Sequence, residues 1–160
     1  MCSSMKIAFV CTEKYDQEYV EAIKQLTELS LMEFDEPNEA THLLSLDASG
    51  LSLKSLQPKA GENQKLPTRV DFLNSALHYR KDSFGKHQGL AKAVGLNKHE
   101  PMHVLDATTG LGRDAFILAS MGCQLTMLEQ SPLIYSLIND GLKRAANIDD
   151  QDLLSIIKQM

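Results

Sequence analysis

Hydrophobic positions along the first third of the chain come in short runs separated by one longer periodic stretch. Lys6-Ile7-Ala8-Phe9-Val10-Cys11 is rich in strand formers and too short for a helix. From Asp16 to Leu31, Val20, Ile23, Leu26 and Leu29 recur every three residues, and Asp16 stands where a helix start favours an acid. This predicts a strand followed by a helix. Glu33 to Asn38 reads as an acidic turn around Pro37. Thr41–Leu46 and Leu51–Leu56 read as two strands joined by the turn residues Asp47-Ala48-Ser49-Gly50. Gln57 to Pro67, with two prolines, a glycine and several polar residues, reads as a linker or exposed loop. Residues 1–67 are therefore expected to form a small α+β unit with no catalytic constellation of their own.

A different pattern begins after Pro67. Gly85–Leu96 places Leu90, Ala91, Val94 and Leu96 at roughly helical spacing, with Gly95 suited to a C-cap. Beyond it the chain alternates strand (His103–Asp106), helix (Arg113–Met121), strand (Gln124–Glu129) and helix (Pro132–Arg144). Ser131 is a natural N-cap, and Pro132 then occupies the first helical position. Ile148–Met160 reads as one more amphipathic turn or helix. Strand–helix–strand–helix with short links is the pattern of a parallel sheet. The expected class is α/β, with residues 68–160 forming a second unit.

Composition narrows the function classes. The 160 residues are 43% hydrophobic and 23% charged, which is ordinary globular composition, and no run approaches the length of a membrane span. The first residues lack a signal-peptide pattern, and Cys2, Cys11 and Cys123 form no CxxC pair. No disulfide framework or metal site is expected, and a reducing cytoplasm is the natural compartment. The net charge of −5 excludes a globally basic nucleic-acid coat. Charge is nevertheless uneven. Between His78 and His99, Arg80, Lys81, Lys86, Lys92 and Lys98 face a single acid, Asp82, giving a local +4 against −9 for the remainder. Such a strip is either a solvated helix face or a phosphate-contacting surface.

The chemistry concentrates in Val104-Leu105-Asp106-Ala107-Thr108-Thr109-Gly110-Leu111-Gly112-Arg113-Asp114. An acid ends a strand, a Gly-x-Gly turn follows, and a helix starts. Ligands of open α/β sheets bind at this edge. Gly110 and Gly112 let the backbone turn tightly and leave room where a Cβ would project. Glu129, 23 residues after Asp106, ends the second strand, where a carboxylate can accept hydrogen bonds from both hydroxyls of a ribose. A P-loop is excluded because no G-K-[S/T] occurs. A dinucleotide stays open, since Ala115 is permitted at the third fingerprint position. Asp106 favours S-adenosylmethionine: a carboxylate before the glycine loop repels a pyrophosphate but attracts a sulfonium and an ammonium.

The same residues carry a family resemblance. Asp106-Ala107-Thr108-Thr109-Gly110-Leu111-Gly112-Arg113-Asp114-Ala115-Phe116, Ala119-Ser120-x-Gly122-Cys123 and Met127-Leu128-Glu129-x-Ser131-Pro132 are similar to segments of the RsmJ-type ribosomal RNA methyltransferases. So are Asp140-Gly141-Leu142, Val70-Asp71-Phe72, His78-x-Arg80-Lys81 and Ala91-Lys92-Ala93-Val94-Gly95. The resemblance is dense from about Val70 to Ala145. It implies the start of a Rossmann-like class I methyltransferase sheet, incomplete here, behind the small N-terminal unit. It also implies methyl transfer from S-adenosylmethionine to the N2 of a guanine in small-subunit (16S) ribosomal RNA, free or in the 30S subunit, without a metal. By resemblance Arg113, Asp114, Glu129 and Gln130 contact the cofactor. The residue reading adds Asp106, Gly110 and Gly112 near the methionine moiety. One departure is the loop Asp82-Ser83-Phe84-Gly85-Lys86-His87-Gln88, where the family is richer in glycine.

No catalytic residue is assigned. Enzymes that methylate an exocyclic amine orient it with Asn or Asp followed by Pro and an aromatic residue. The five prolines here follow Glu, Gln, Leu, Glu and Ser. Only two strands fit between His103 and Met160, and 54 residues follow Asp106. The expectation is the N-terminal portion of a methyltransferase, holding half a cofactor site and inactive alone. The alternative is a stand-alone nucleotide- or S-adenosylmethionine-binding module without catalysis.

Overall fold

The computed structural model describes residues 6–12, 14–27, 40–57, 66–73, 89–96, 100 and 102–160. The chain divides into two compact units, Met1–Val70 and Asp71–Met160. The acidic turn at 33–38, the last residues of the first expected helix (28–31), the loop at 82–88 and most of the basic strip fall outside the described residues.

In the first unit, β1 (Ile7–Cys11), α1 (Gln17–Thr27) and β2 (His42–Asp47) form a βαβ unit, with β1 and β2 parallel in the register Ile7↔His42 to Cys11↔Leu46. β3 (Gly50–Ser55) returns antiparallel through the two-residue turn Ala48-Ser49, so the sheet order is β1-β2-β3. Alternation decides which side is buried. Leu44 and Leu46 point into the core with Leu51, while Ser45 pairs with Ser52 across the strands, Oγ to Oγ at 3.0 Å. Asp16 Oδ1 accepts from the Glu18 N–H at the start of α1, and Ile23 is buried on its inner face. Arg69 ties the hairpin: its Nη2 donates to both oxygens of Asp47 at 2.9 and 3.1 Å.

The second unit contains α2 (Gly89–Ala93), β4 (His103–Asp106), α3 (Arg113–Ser120), β5 (Gln124–Met127), α4 (Pro132–Ala146) and α5 (Gln151–Ile157). β4 and β5 pair in parallel across the α3 crossover, His103↔Gln124 to Asp106↔Met127. Helix α3 is buried along Ala115–Ala119 and packs on β5, α2 and α5. Its Phe116 stacks on Phe72, with ring centroids 5.4 Å apart. Ser131 caps α4 by accepting from the Ile134 N–H, and Pro132 stands in the first turn. Asp150 caps α5 in the same way through Leu153 N–H, at 2.9 Å. The C-terminal turn then returns to β5, where Leu125 N–H donates to Gln159 O at 2.6 Å. On the other face of the β4–β5 pair, Leu105 is 62% exposed. No helix among the described residues is long and apolar enough to cross a membrane.

The strand and helix order expected after His103 is present, with shifts at the ends. The fourth expected helix runs on to Ala146, and Ile148–Met160 contains a defined helix. Of the helix expected over Gly85–Leu96, residues 85–88 lie outside the described residues; Gly89–Ala93 is helical, and Gly95 follows at φ 83°. β5 stops at Met127, two residues before Glu129, and Leu128 donates to Asp106 O and accepts from Thr109 N–H beyond the strand.

The core of the second unit gives a direct stability test. Leu137 is fully buried on α4, so Leu137→Ala is expected to cost about 2–5 kcal/mol of unfolding free energy in urea. Asp150→Ala removes only the α5 cap and is expected to cost about 1 kcal/mol.

Candidate cofactor site

The backbone leaves β4 at Asp106 and must reach the first turn of α3 within seven residues. It does so through two left-handed glycines, Gly110 at φ 54° and Gly112 at φ 72°. Gly112 is the N-cap of α3, and its carbonyl accepts the Phe116 N–H at 2.9 Å. With no side chain at that position, the loop is held by its neighbours. Asp106 Oδ1 accepts from Thr108 N–H at 3.1 Å and closes a turn. Thr109, buried, donates its hydroxyl to Asp106 O and its N–H to Leu128 O. Leu128 N–H in turn donates to Asp106 O at 2.8 Å, so the two strand ends stay joined beyond the sheet.

Glu129 completes this frame. One carboxylate oxygen accepts from Gly110 N–H at 3.1 Å, and the other accepts from Ser131 N–H at 2.8 Å. A single side chain thereby links the glycine loop to the cap of α4. Each carboxylate oxygen carries two lone pairs, so each keeps one acceptor position after these bonds.

Two depressions border the loop and share Ala107 and Thr108 as a common wall. The larger, of about 610 Å³, is lined by Asp106, Thr109, Leu111, Arg113 and Asp114, together with Leu90 of α2 and Val94 just after it. The smaller, of about 310 Å³, is lined by Gly110, Leu128, Glu129 and Gln130. The residues expected at the site thus divide into two groups. Asp106, Arg113 and Asp114 come together in one hollow, and Gly110, Glu129 and Gln130 in the next. Gly112 lines neither; it is buried, and its Cα faces the ring of Phe72. Arg113 and Asp114 are exposed at the head of α3.

Two groups at the site were not singled out from the sequence. Leu90 and Val94 were read only as helix positions, although their i, i+4 spacing puts them on one face, and that face lines the larger hollow. Thr108 and Thr109 were read as part of the turn, with no separate role. His78, Arg80, Lys81, Lys86 and Lys98 lie outside the described residues. Lys92 is exposed on α2. Among the described residues no cluster of His, Cys, Asp or Glu is placed to hold a metal ion.

The larger hollow presents two carboxylates and one guanidinium against an apolar wall. That set suits a ligand bearing both cationic and anionic groups near an apolar stem. The smaller presents backbone and carboxylate acceptors, which suits a diol.

Comparison with known proteins takes in residues of both units. Residues 25–160 match a family model described as "Putative SAM-dependent methyltransferase". Among curated proteins, Ribosomal RNA small subunit methyltransferase J of Cellvibrio japonicus is 44% identical over 122 residues, which are 74% of this chain and 44% of that protein. The protein of the same name from Pseudoalteromonas atlantica is 43% identical over 135 residues, 83% of this chain and 50% of its own length. The crystal structure of a SAM-dependent methyltransferase from Neisseria gonorrhoeae superposes with a TM-score of 0.62 at 31% identity, covering 97% of this chain and 57% of that one. The chain spans about half the length of the curated relatives it matches.

The Glu129 bridge has a measurable cost. Glu129→Ala removes an ionised acceptor from two backbone N–H groups, so it is expected to lower stability by about 1.5–3 kcal/mol in urea. Amide exchange at Gly110 and Ser131 is expected to accelerate before exchange in β5. Glu129→Gln, which keeps one acceptor oxygen, is expected to fall between.

Proposed function

Because the chain belongs to the SAM-dependent methyltransferase family, we propose that it builds the S-adenosylmethionine site of an enzyme that methylates a guanine N2 in small-subunit ribosomal RNA. The observation that carries this reading is the glycine loop with an acid on each strand end, Asp106 and Glu129, flanked by two adjoining hollows. The names of the relatives support the RNA class, and the resemblance around Asp106–Phe116 supports the guanine N2.

The residues present fit the cofactor. The carboxylates of Asp106 and Asp114 line the larger hollow and favour the ammonium and sulfonium, and the guanidinium of Arg113 suits the carboxylate of the methionine moiety. Leu90 and Val94 offer apolar contact beside them. The remaining acceptor positions of Glu129, with Gln130 beside it, suit the ribose hydroxyls. Gly110 leaves open space, since a Cβ there would meet nothing closer than 3.9 Å. When bound, S-adenosylmethionine supplies an electrophilic methyl group on a positively charged sulfur. The chain's own residues bind and orient it, and they keep like charges away from it.

The group that orients the acceptor amine is not assigned to this chain, because none of its prolines follows Asp or Asn. In this reading residues 1–67 form an accessory unit, and residues 68–160 form the first part of a Rossmann-like cofactor domain. By themselves the 160 residues hold half of the cofactor site, bind S-adenosylmethionine weakly and do not transfer its methyl group. Arg80, Lys81 and Lys86 contact RNA phosphates, concentrating positive charge on an otherwise acidic chain. The enzyme is cytoplasmic, acts on 16S RNA or the assembled 30S subunit, and uses no metal.

Calorimetry with S-adenosylhomocysteine tests the cofactor assignment. Binding is expected for the full-length enzyme and is expected to be much weaker for these 160 residues alone. In the full-length enzyme Arg113→Ala and Asp106→Asn are each expected to weaken it about tenfold, roughly the 1.4 kcal/mol of one charge-assisted contact. Binding of a nicotinamide dinucleotide in place of S-adenosylhomocysteine would overturn it. Incubating small subunits with the full-length enzyme and radiolabelled S-adenosylmethionine, followed by nucleoside analysis, tests the product. N2-methylguanosine is expected, and label on any other position would refute the guanine-N2 assignment.

A further inference from the structure

We propose that Phe72 is a positioning residue for the cofactor loop, setting from beneath the height at which Gly110–Gly112 stands. The proposal rests on the cofactor reading above and adds a residue that never touches the ligand hollows. Phe72 is 1% exposed and stacks on the fully buried Phe116, with an interplanar angle of 18°. Phe116 lies one turn into α3 and takes its helical bond from the Gly112 carbonyl. The Phe72 ring therefore contacts the helix and the residue that starts it.

The contact with Gly112 is tight. A Cβ built there would stand 3.2 Å from Phe72 Cζ and 3.5 Å from Cε1. Glycine is thus required at this position twice: by φ of +72° and by the ring beneath it. Two facing constraints fix the loop. Glu129 holds Gly110 N–H from the side, and Phe72 supports Gly112 from below. Asp71 settles the ring's approach, because its Oδ1 accepts from Leu73 N–H at 2.9 Å and closes a turn around Phe72. Close-packed interiors transmit a lost contact to the backbone resting on it. Removing the ring lets Gly112 sink and loosens the loop before it disturbs the sheet.

A double-mutant cycle separates this contact from the backbone term. Gly112→Ala brings the cost of a left-handed alanine and the close approach to Phe72, whereas only the first remains when residue 72 is shortened. The variants are Phe72→Leu, Phe72→Ala, Gly112→Ala and their combinations, with Phe72→Leu securing a folded protein if alanine does not fold. The first readout is amide exchange at Gly110 and Gly112, referenced to Leu125 in β5. Both loop amides are hydrogen-bonded in the structure, to Glu129 and to Thr109 O. Exchange in Phe72→Leu is expected to rise at least about tenfold at the loop against little change at Leu125. Gly112→Ala is expected to do less harm in the shortened background than in the parent. S-adenosylhomocysteine affinity is expected to fall about tenfold in Phe72→Leu, in proportion to the competent loop population. Unchanged loop exchange in Phe72→Leu, or effects that simply add in the cycle, would overturn the positioning role. If the full-length enzyme binds no S-adenosylhomocysteine, the cofactor reading fails, and the exchange data still decide the role of Phe72.

Discussion

The passage from β4 into α3 is made by a loop with two left-handed glycines and no capping side chain, so its shape has to be supplied from outside. The Glu129 carboxylate supplies it. Reaching back from the end of β5, it accepts one N–H from the loop and one from the entry to α4. Two strand ends, two helix starts and the smaller hollow meet at this one side chain. A carboxylate suits the task because it is ionised and accepts on two oxygens at once. Hydrogen bonds of this kind are stronger than those between neutral partners. An amide could satisfy only one of the two donors.

The sequence singles out Glu129 as an acid at the end of the second strand, because its spacing from Asp106 is a one-dimensional signal. Its bridge between two backbone N–H groups depends on the folded positions of Gly110 and Ser131, which no pattern of residue types reports. Gly112 shows the same limit. Its place in a Gly-x-Gly turn was legible, but its spacing in sequence cannot distinguish a glycine that clears room for a ligand from one that clears room for a ring. Phe72 lies forty positions earlier, and only the folded chain brings the two together. By contrast, the βαβ order after His103 and the Ser131-Pro132 helix start were legible, because hydrophobic period and capping chemistry are local. The N-terminal hairpin was legible for the same reason: its turn residues separate two alternating runs.

The site divides its work by charge. The larger hollow places Asp106, Asp114 and Arg113 around an apolar wall, while the smaller offers acceptors near Glu129 and Gln130. A ligand with a zwitterionic end and a diol end matches both in order along the loop. The matched residues make up 44% and 50% of the two curated relatives.

Residues 159 and 160 pack back onto the strand and loop that frame the site. Gln159 receives the Leu125 N–H, and Met160 lies with Thr109 and Glu129 around a third hollow of about 220 Å³. The Met160 methyl group stands 3.8 Å from where a Cβ on Gly112 would be. A side chain at Gly112 would therefore meet Met160 as well as the Phe72 ring, so residues 159 and 160 belong to the packing that shapes the glycine turn.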